Sequence, residues 1–173
     1  LYNEDMGAEF CSAINRWVAK EWLDHEPRLR ASILVHAQNP QLAVAEIERC
    51  AGDPRFVAVL LPVMGDSPLG RRIYWPIFEA AQKHGLSMAV HAGSTFRNPP
   101  NGTGWTSFQI EDYIGQSAAF QNLIISLLAE GVFQKFLKAR EARGITLKPL
   151  TGEGGTYEYL REHINEGRLV ALL

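Results

Sequence analysis

One histidine of this chain follows a predicted strand, at the position where alternating strand–helix folds carry their functional residues. The run Leu86–Val90 predicts a short buried strand, which ends on His91, followed by Ala92 and Gly93. Folds of this class hold ligands and metals at the carboxyl ends of their strands. A histidine that a rigid strand delivers there is well placed for chemistry, although a single histidine is as often a hydrogen-bonded structural residue as a ligand.

The segment from Ser94 to about Ser107 predicts a long loop directly after this strand. Long loops that follow strand ends often carry function. Arg97 could bind a carboxylate, and Trp105 could form one wall of a substrate pocket. A surface loop with a solvated Arg97 and a packed Trp105 explains the same residues equally well, so the sequence leaves both interpretations open.

Three predicted strands alternate with helices up to this loop. Apolar periodicity predicts helices at 2–23, 40–52 and 75–84, strands at 29–35, 56–61 and 86–91, and a further helix from about 111 to 131. Asn39 and Pro40 have the preferences of a helix start, and Gly85 those of a helix end. Helical connections between successive strands imply parallel pairing. The fold class is therefore α/β, either part of a (β/α)8 barrel or an open doubly wound sheet.

The same patterns predict which side chains lie inside. One face of the first helix combines Phe10, Ile14, Trp17 and Val18. Tryptophans 17, 22 and 75 are most simply explained by packing in the core or between helix and barrel. Glu46, Glu48 and Arg49 are expected on a solvated helix face. His36 follows the first strand and could share a rim with His91, but solvent exposure is expected.

Composition limits the classes of partner. The formal net charge of −2 argues against an obligatory nucleic-acid partner, which needs a clustered basic face. No apolar run is long enough to span a bilayer, and the acidic opening lacks a signal-peptide pattern. Cys11 and Cys50 both fall in predicted helices, where two reduced thiols indicate a cytoplasmic protein. The chain opens on Leu1, which suggests a fragment or a processed product.

Several short motifs, taken in order, resemble one enzyme family. They are Asn15-Arg16-Trp17 with Glu21-Trp22-Leu23, the stretches 27–32, 45–49 and 74–77, His91-Ala92-Gly93, and 126–133. Residues 2 to about 136 thereby resemble the middle of an amidohydrolase-related domain, of the aminocarboxymuconate semialdehyde decarboxylase-like group. The resemblance implies a metal-dependent (β/α)8 TIM barrel, here truncated at both ends.

The resemblance also implies the contents of the site. His91 corresponds to a ligand of a divalent metal, zinc or else manganese, which would activate water or polarise a small carboxylated or cyclic substrate. Hydrolysis and decarboxylation are both compatible with it. The family's His-x-His pair and late aspartate have no counterpart in this chain, and a catalytic metal needs about three protein ligands. We therefore expect an incomplete site. The alternative is a non-catalytic fragment or fusion piece, whose open strand edges would favour homo-oligomers.

The tail, residues 137–173, departs from the family pattern and forms a separate predicted region. It predicts a basic helix closed by Gly144, a strand at 145–150, a helix at 156–165 and an apolar strand at 169–173. It could be a divergent βα unit of the same barrel, with Glu153 near the late-strand position. Alternatively it resembles, over about a fifth of the chain, a bacterial lipid acyltransferase, without that family's His-x4-Asp motif.

Overall fold

A computed structural model of the protein describes residues 3–92 and 104–141, with only the backbone of 137–141. Its elements in chain order are α1 (Glu4–Val18), a π-helical turn (Ala19–Leu23), β1 (Ala31–Leu34), α2 (Pro40–Cys50), β2 (Phe56–Pro62), a 3-10 turn (Arg72–Tyr74), α3 (Trp75–Lys83), β3 (Ser87–His91), α4 (Gln109–Ala129) and α5 (Val132–Glu141). The chain divides into two compact units, Leu1–Lys138 and Ala139–Leu173. Apart from the helix at 137–141, the elements predicted for the tail lie outside the described residues.

The three strands form one parallel sheet in the order β1-β2-β3. Leu34 pairs with Leu60, and Pro62 pairs with His91, so the strands end near one another. Helices α2 and α3 connect successive strands, as parallel pairing requires. The predicted α/β class is confirmed, and the sequential strand order with helical crossovers is that of part of a (β/α)8 barrel.

The core lies between the sheet and the helices. Its fully buried side chains include Ile33 of β1, Ile47 of α2, Val59 and Leu61 of β2, and Ile77 of α3. Cys11 and Cys50 are buried free thiols in helices, as predicted. Among the helices that the structure describes, none is long and apolar enough to cross a membrane.

The predicted helix ends are confirmed where local chemistry determines them. The Asn39 side chain accepts a hydrogen bond from the Leu42 amide (3.1 Å), and Pro40 occupies the first turn of α2. Gly85 has a φ of 67°, a conformation that favours glycine after a helix. Helix α4 begins at Gln109, two residues before the predicted start, and Glu111 accepts hydrogen bonds from the amides of Ser107 and Phe108 at this end.

The predicted interior of α1 is wrong. Its buried residues are Gly7, Cys11 and Asn15, whereas Phe10 is 54% exposed and Trp17 is 54% exposed. Ile14 and Trp22 are also exposed, and Val18 packs against the core. The helical periodicity of α1 is present in the structure, but two neighbouring faces of the helix have the spacing of a buried face. The less apolar of the two is buried, because its small residues allow it to approach the sheet closely.

The three tryptophans expected in the core differ in their packing. Trp17 and Trp22 contact each other edge to face at 6.2 Å and remain more than half exposed. Trp75 packs against the core and contacts Phe136 at 6.4 Å, as predicted. Its indole nitrogen donates to the Gly70 carbonyl at 3.0 Å, which satisfies the polar end of a partly buried ring.

Candidate functional site

His91 lies at the carboxyl edge of the sheet, where the sequence predicts it. It is the last residue of β3, and its carbonyl accepts a hydrogen bond from the Val63 amide at 2.9 Å. This bond extends the pairing of β2 and β3 by one residue and fixes the backbone that carries the imidazole. The His91 side chain is exposed. A rigid strand end thus presents one accessible imidazole.

His36 lies at the same edge, two residues after β1. With strands about 4.8 Å apart, β1 and β3 are about 10 Å apart across β2. A Cβ at Gly7 would lie 2.7 Å from the His36 ring, so α1 packs directly on the imidazole. The ring is half-buried, and burial lowers the pKa of His36 below its ordinary value. The expectation of a solvent-exposed His36 is therefore wrong.

Two loops meet between these histidines. Gln38, after β1, donates to the Asp66 carboxylate in the loop after β2. Tyr74 is buried below the same loop, and burial raises the pKa of its phenol, with a hydrogen bond to Ser67 acting in the opposite direction. The negative charge of Asp66 acts to raise the pKa of His36, but burial has the larger effect and the net pKa is lowered. A side-chain hydrogen bond therefore joins the loops that follow β1 and β2 at the carboxyl edge.

A cavity of about 430 Å³ opens beside the loop after β2. Ser67, Arg71, Arg72, Ile73 and Glu130 line it. The volume is within the range of small-molecule sites. Arg71 lies 3.8 Å from Glu130, and the Arg72 guanidinium lies 5.4 Å from the Trp75 ring centre. No pattern in the sequence singled out these two arginines.

Of the two predicted substrate-binding residues, the structure describes one. Arg97 lies outside the described residues. Trp105 is described and is 59% exposed, so its ring is not packed in the core. It precedes α4 by four residues. Its contact with a substrate stays a prediction.

The described residues do not fit a complete metal centre. Within residues 3–92 and 104–141, no group of three or more His, Cys, Asp or Glu side chains could hold a metal ion. Nε2 of His36 is buried and has no hydrogen-bond partner there. Structural and catalytic zinc sites take at least three protein ligands. His91 could supply one ligand, and the others would have to come from beyond the described residues.

A polar cluster was missed by the sequence analysis. It consists of the buried Asn15, Glu46 and Cys50 and the exposed Arg49, and we call it the Asn15–Glu46 cluster. Glu46 is 8% exposed, so its assignment to a solvated face is wrong. Its carboxylate accepts from Asn15 Nδ2 (2.7 Å), from two nitrogens of Arg49 (2.6 and 2.8 Å) and from Cys50 Sγ (3.4 Å). The signal was present, because Glu46 shares the helical face of Ala43, Ile47 and Cys50.

Asn15 connects this cluster to the end of β1. Its Nδ2 donates to the Leu34 carbonyl at 2.8 Å, and its Oδ1 accepts from the Leu34 amide at 2.9 Å. The side chain thus pairs with the backbone as a neighbouring strand would. Burial raises the pKa of Glu46, but hydrogen bonds from Arg49, Asn15 and Cys50 outweigh it, so that the net pKa lies below the ordinary value.

Comparisons with known proteins agree with this architecture. A protein from Staphylococcus aureus assigned as an amidohydrolase shares the fold with a TM-score of 0.64 and 20% identity, over 76% of this chain and 46% of its own. The 5-carboxyvanillate decarboxylase LigW from Sphingomonas paucimobilis gives a TM-score of 0.61 and 21% identity, over 78% and 40%. This chain spans less than half the length of either protein. Identities this low show the shared fold alone.

The family is shown by a different comparison. The family model described as amidohydrolase matches residues 2–165. The match includes His91, and it extends beyond residue 136 into the tail. The two interpretations of the tail, a divergent βα unit and a piece that resembles a lipid acyltransferase, both stay predictions. Amidohydrolases generally use divalent metals. With most of its length matched, the chain belongs to the amidohydrolase family.

Proposed function

We propose that this chain forms part of the catalytic barrel of a metal-dependent hydrolase or decarboxylase. The observation that carries the proposal is the exposed imidazole of His91 on the last residue of β3, in a chain of the amidohydrolase family. The substrate is a small carboxylated or cyclic organic compound. The buried free thiols of Cys11 and Cys50 support a cytoplasmic location.

Three residues receive roles in this proposal. His91 is one ligand of the divalent metal, zinc or manganese. Arg97 binds a substrate carboxylate, since a guanidinium can form two parallel hydrogen bonds with it. Trp105 forms a wall of the pocket, which its 59% exposure supports. The decarboxylase alternative is supported by the fold shared with 5-carboxyvanillate decarboxylase.

A second candidate function has its own support. No three metal-ligating side chains converge within residues 3–92 and 104–141. A chain with one ligand would bind metal weakly and would not catalyse by itself. This candidate is a non-catalytic piece of a barrel, which shares the fold of the enzymes and lacks their activity.

Zinc binding by the 173-residue chain tests the ligand role. We expect His91→Ala to weaken Zn²⁺ binding at least tenfold in equilibrium dialysis, because one imidazole is lost. His84→Ala is the matched control, since His84 lies at the end of α3 and contacts Glu48 at 2.8 Å. It should leave the affinity unchanged. Equal Zn²⁺ affinity of the His91→Ala variant and the unaltered chain would contradict the proposal.

Activity separates the two candidates. The zinc- or manganese-loaded chain is incubated with 5-carboxyvanillate as a probe, and carbon dioxide release is measured. Turnover that His91→Ala abolishes, and His84→Ala does not, supports the enzyme. A chain that binds metal through His91 and releases no carbon dioxide, and hydrolyses none of a panel of cyclic amides and lactones, supports the non-catalytic piece.

A further inference from the structure

The first helix carries an apolar stripe on its outer surface. Met6, Phe10, Ile14 and Trp17 follow one another at intervals of three or four residues, and each is between 43% and 54% exposed. This spacing aligns them on one face of a helix. The buried face of α1 is a different one, formed by Gly7, Cys11 and Asn15. The stripe is therefore not required for packing α1 on its own sheet.

A π-helical turn extends the stripe. On a regular α-helix, residues 17 and 22 would point in different directions, because five residues turn the chain through about 500°. The π-helical turn at Ala19–Leu23 is wider, and Trp22 contacts Trp17 edge to face at 6.2 Å. Such turns are rare and occur frequently at functional sites. Here the turn adds a fifth large apolar side chain, 53% exposed, to the same surface.

The stripe is large enough to matter for association. Five large side chains that are about half exposed present on the order of 500 Å² of apolar surface. Monomeric proteins rarely expose contiguous apolar patches beyond a few hundred Å². A stable interface buries about 800 Å² on each partner. The apolar stripe by itself supplies more than half of that area.

The charges beside the stripe are arranged symmetrically. Asp5 and Glu9 lie in the first half of α1, Arg16 lies in its last turn, and Lys20 lies in the π-helical turn that follows. At about 100° per residue, Asp5, Glu9 and Arg16 fall within an arc of about 40° on one flank of the stripe, and Lys20 follows Arg16 four residues later. Asp5 with Lys20, and Glu9 with Arg16, are equidistant from the same point, between Ser12 and Ala13. All four side chains are exposed.

We propose that the stripe Met6, Phe10, Ile14, Trp17 and Trp22 is a dimerisation surface, on which α1 of one chain packs antiparallel against α1 of a second copy. A twofold axis through the point between Ser12 and Ala13 brings Glu9 opposite Arg16 of the other copy, and Asp5 opposite Lys20. The apolar stripes then face each other along the axis.

The charges select the antiparallel arrangement. In an antiparallel pair related by such an axis, the charged flank of one helix lies against the same flank of the other, in reverse order. Opposite charges therefore meet. In a parallel pair, the charged flank would lie against the opposite flank, which carries Cys11 and Asn15 and is buried in the fold. Arg16 is available for such a pair, since its hydrogen bond within the chain is with the neutral Ser12 hydroxyl at 2.8 Å.

Sedimentation equilibrium of the 173-residue chain tests the surface. We expect a species of twice the 19.3 kDa chain mass. Trp17→Glu should weaken the dimer about a hundredfold, because it places a charge within the apolar interface and removes one of its large aromatic side chains. Ile73→Glu is the matched control: Ile73 is 60% exposed, lies on another element and should leave association unchanged. Far-ultraviolet circular dichroism of each variant confirms that it is folded.

Charge reversal tests the orientation. Glu9→Arg and Arg16→Glu should each weaken self-association about tenfold, since like charges then meet twice in the dimer. Mixing the two variants should restore a heterodimer, and the double variant should restore the homodimer. A monomeric unaltered chain at 100 µM, a dimer insensitive to Trp17→Glu, or failure of the mixture to associate would each overturn the proposal. A monomer would mean that another partner, or further chain, covers the stripe.

Discussion

The Asn15–Glu46 cluster and the carboxyl edge of the sheet are both polar, but their side chains are used in opposite ways. In the cluster, Asn15 makes three hydrogen bonds and Glu46 accepts from three residues, all within the fold. At the carboxyl edge, the His91 side chain is exposed. The difference indicates that the buried polar groups hold the fold together, whereas the exposed imidazole remains accessible to a ligand.

The difference between the cluster and the carboxyl edge has an energetic basis. A buried polar group costs free energy unless it is paired, and its removal leaves its partners unpaired as well. An exposed side chain without a packing role contributes little to stability. Substitutions in the cluster should therefore affect the free energy of unfolding, and substitutions at the carboxyl edge should affect binding.

The largest expected effect is that of Asn15→Ala. The substitution leaves the Leu34 amide and carbonyl and one lone pair of Glu46 without their partner, so we expect a loss of about 3 kcal/mol in the free energy of unfolding, measured with urea. Ser12→Ala, one turn away, removes only an exposed bond with Arg16 and should cost less than about 0.5 kcal/mol. Equal losses for the two variants would contradict a structural role of the cluster.

Glu46→Gln should have the next largest effect. The neutral amide loses its ion pair with Arg49, and we expect a loss of about 2 kcal/mol at pH 7. Because the folded-state pKa of Glu46 lies below its ordinary value of 4.5, the stability that it contributes is present above pH 4.5 and is lost as the pH falls through the folded-state pKa.

The pH dependence provides the sharper readout. Urea unfolding of the unaltered chain and of Glu46→Gln is compared between pH 7 and pH 3. The difference between the two free energies of unfolding should shrink as the pH falls below about 4.5. A difference that stays constant over this range would show that Glu46 is not held in its charged form by the cluster.

A smaller effect is expected at the start of α2. Asn39→Ala removes the side-chain acceptor of the Leu42 amide and should cost about 1 kcal/mol. Asn39→Ser keeps a capping oxygen and should recover most of the loss. If both variants are equally destabilised in urea, the bond from Asn39 to Glu4, rather than the cap, is the stabilising contact.

The smallest effect on stability is expected for His91→Ala. Its side chain is exposed at the strand end, so the free energy of unfolding should change by less than about 0.5 kcal/mol. The same variant should lose most of its Zn²⁺ affinity, as proposed above. A large loss of stability would show that His91 has a structural role. The carboxyl edge would then not differ from the Asn15–Glu46 cluster in the way described.

Local signals made much of the fold predictable. The strands at 56–61 and 86–91 differ from β2 and β3 by one residue each, and the start of α2 at Pro40 is where Asn39 predicts it. Turn and cap residues act over a few residues of chain, so their effects can be read from the sequence. The position of His91 at a strand end followed from the same signals.

What the sequence alone determined about this protein is the order of strands and helices, the parallel pairing that helical connections impose, and the delivery of His91 to a carboxyl edge. Only the tertiary structure decided which face of α1 is buried, that Glu46 lies inside, and that Gly7 packs on His36. The physical reason is that burial depends on the shape of the surface opposite each helix. A face of small residues that carries one asparagine matches the end of β1 better than a face of large aromatic rings.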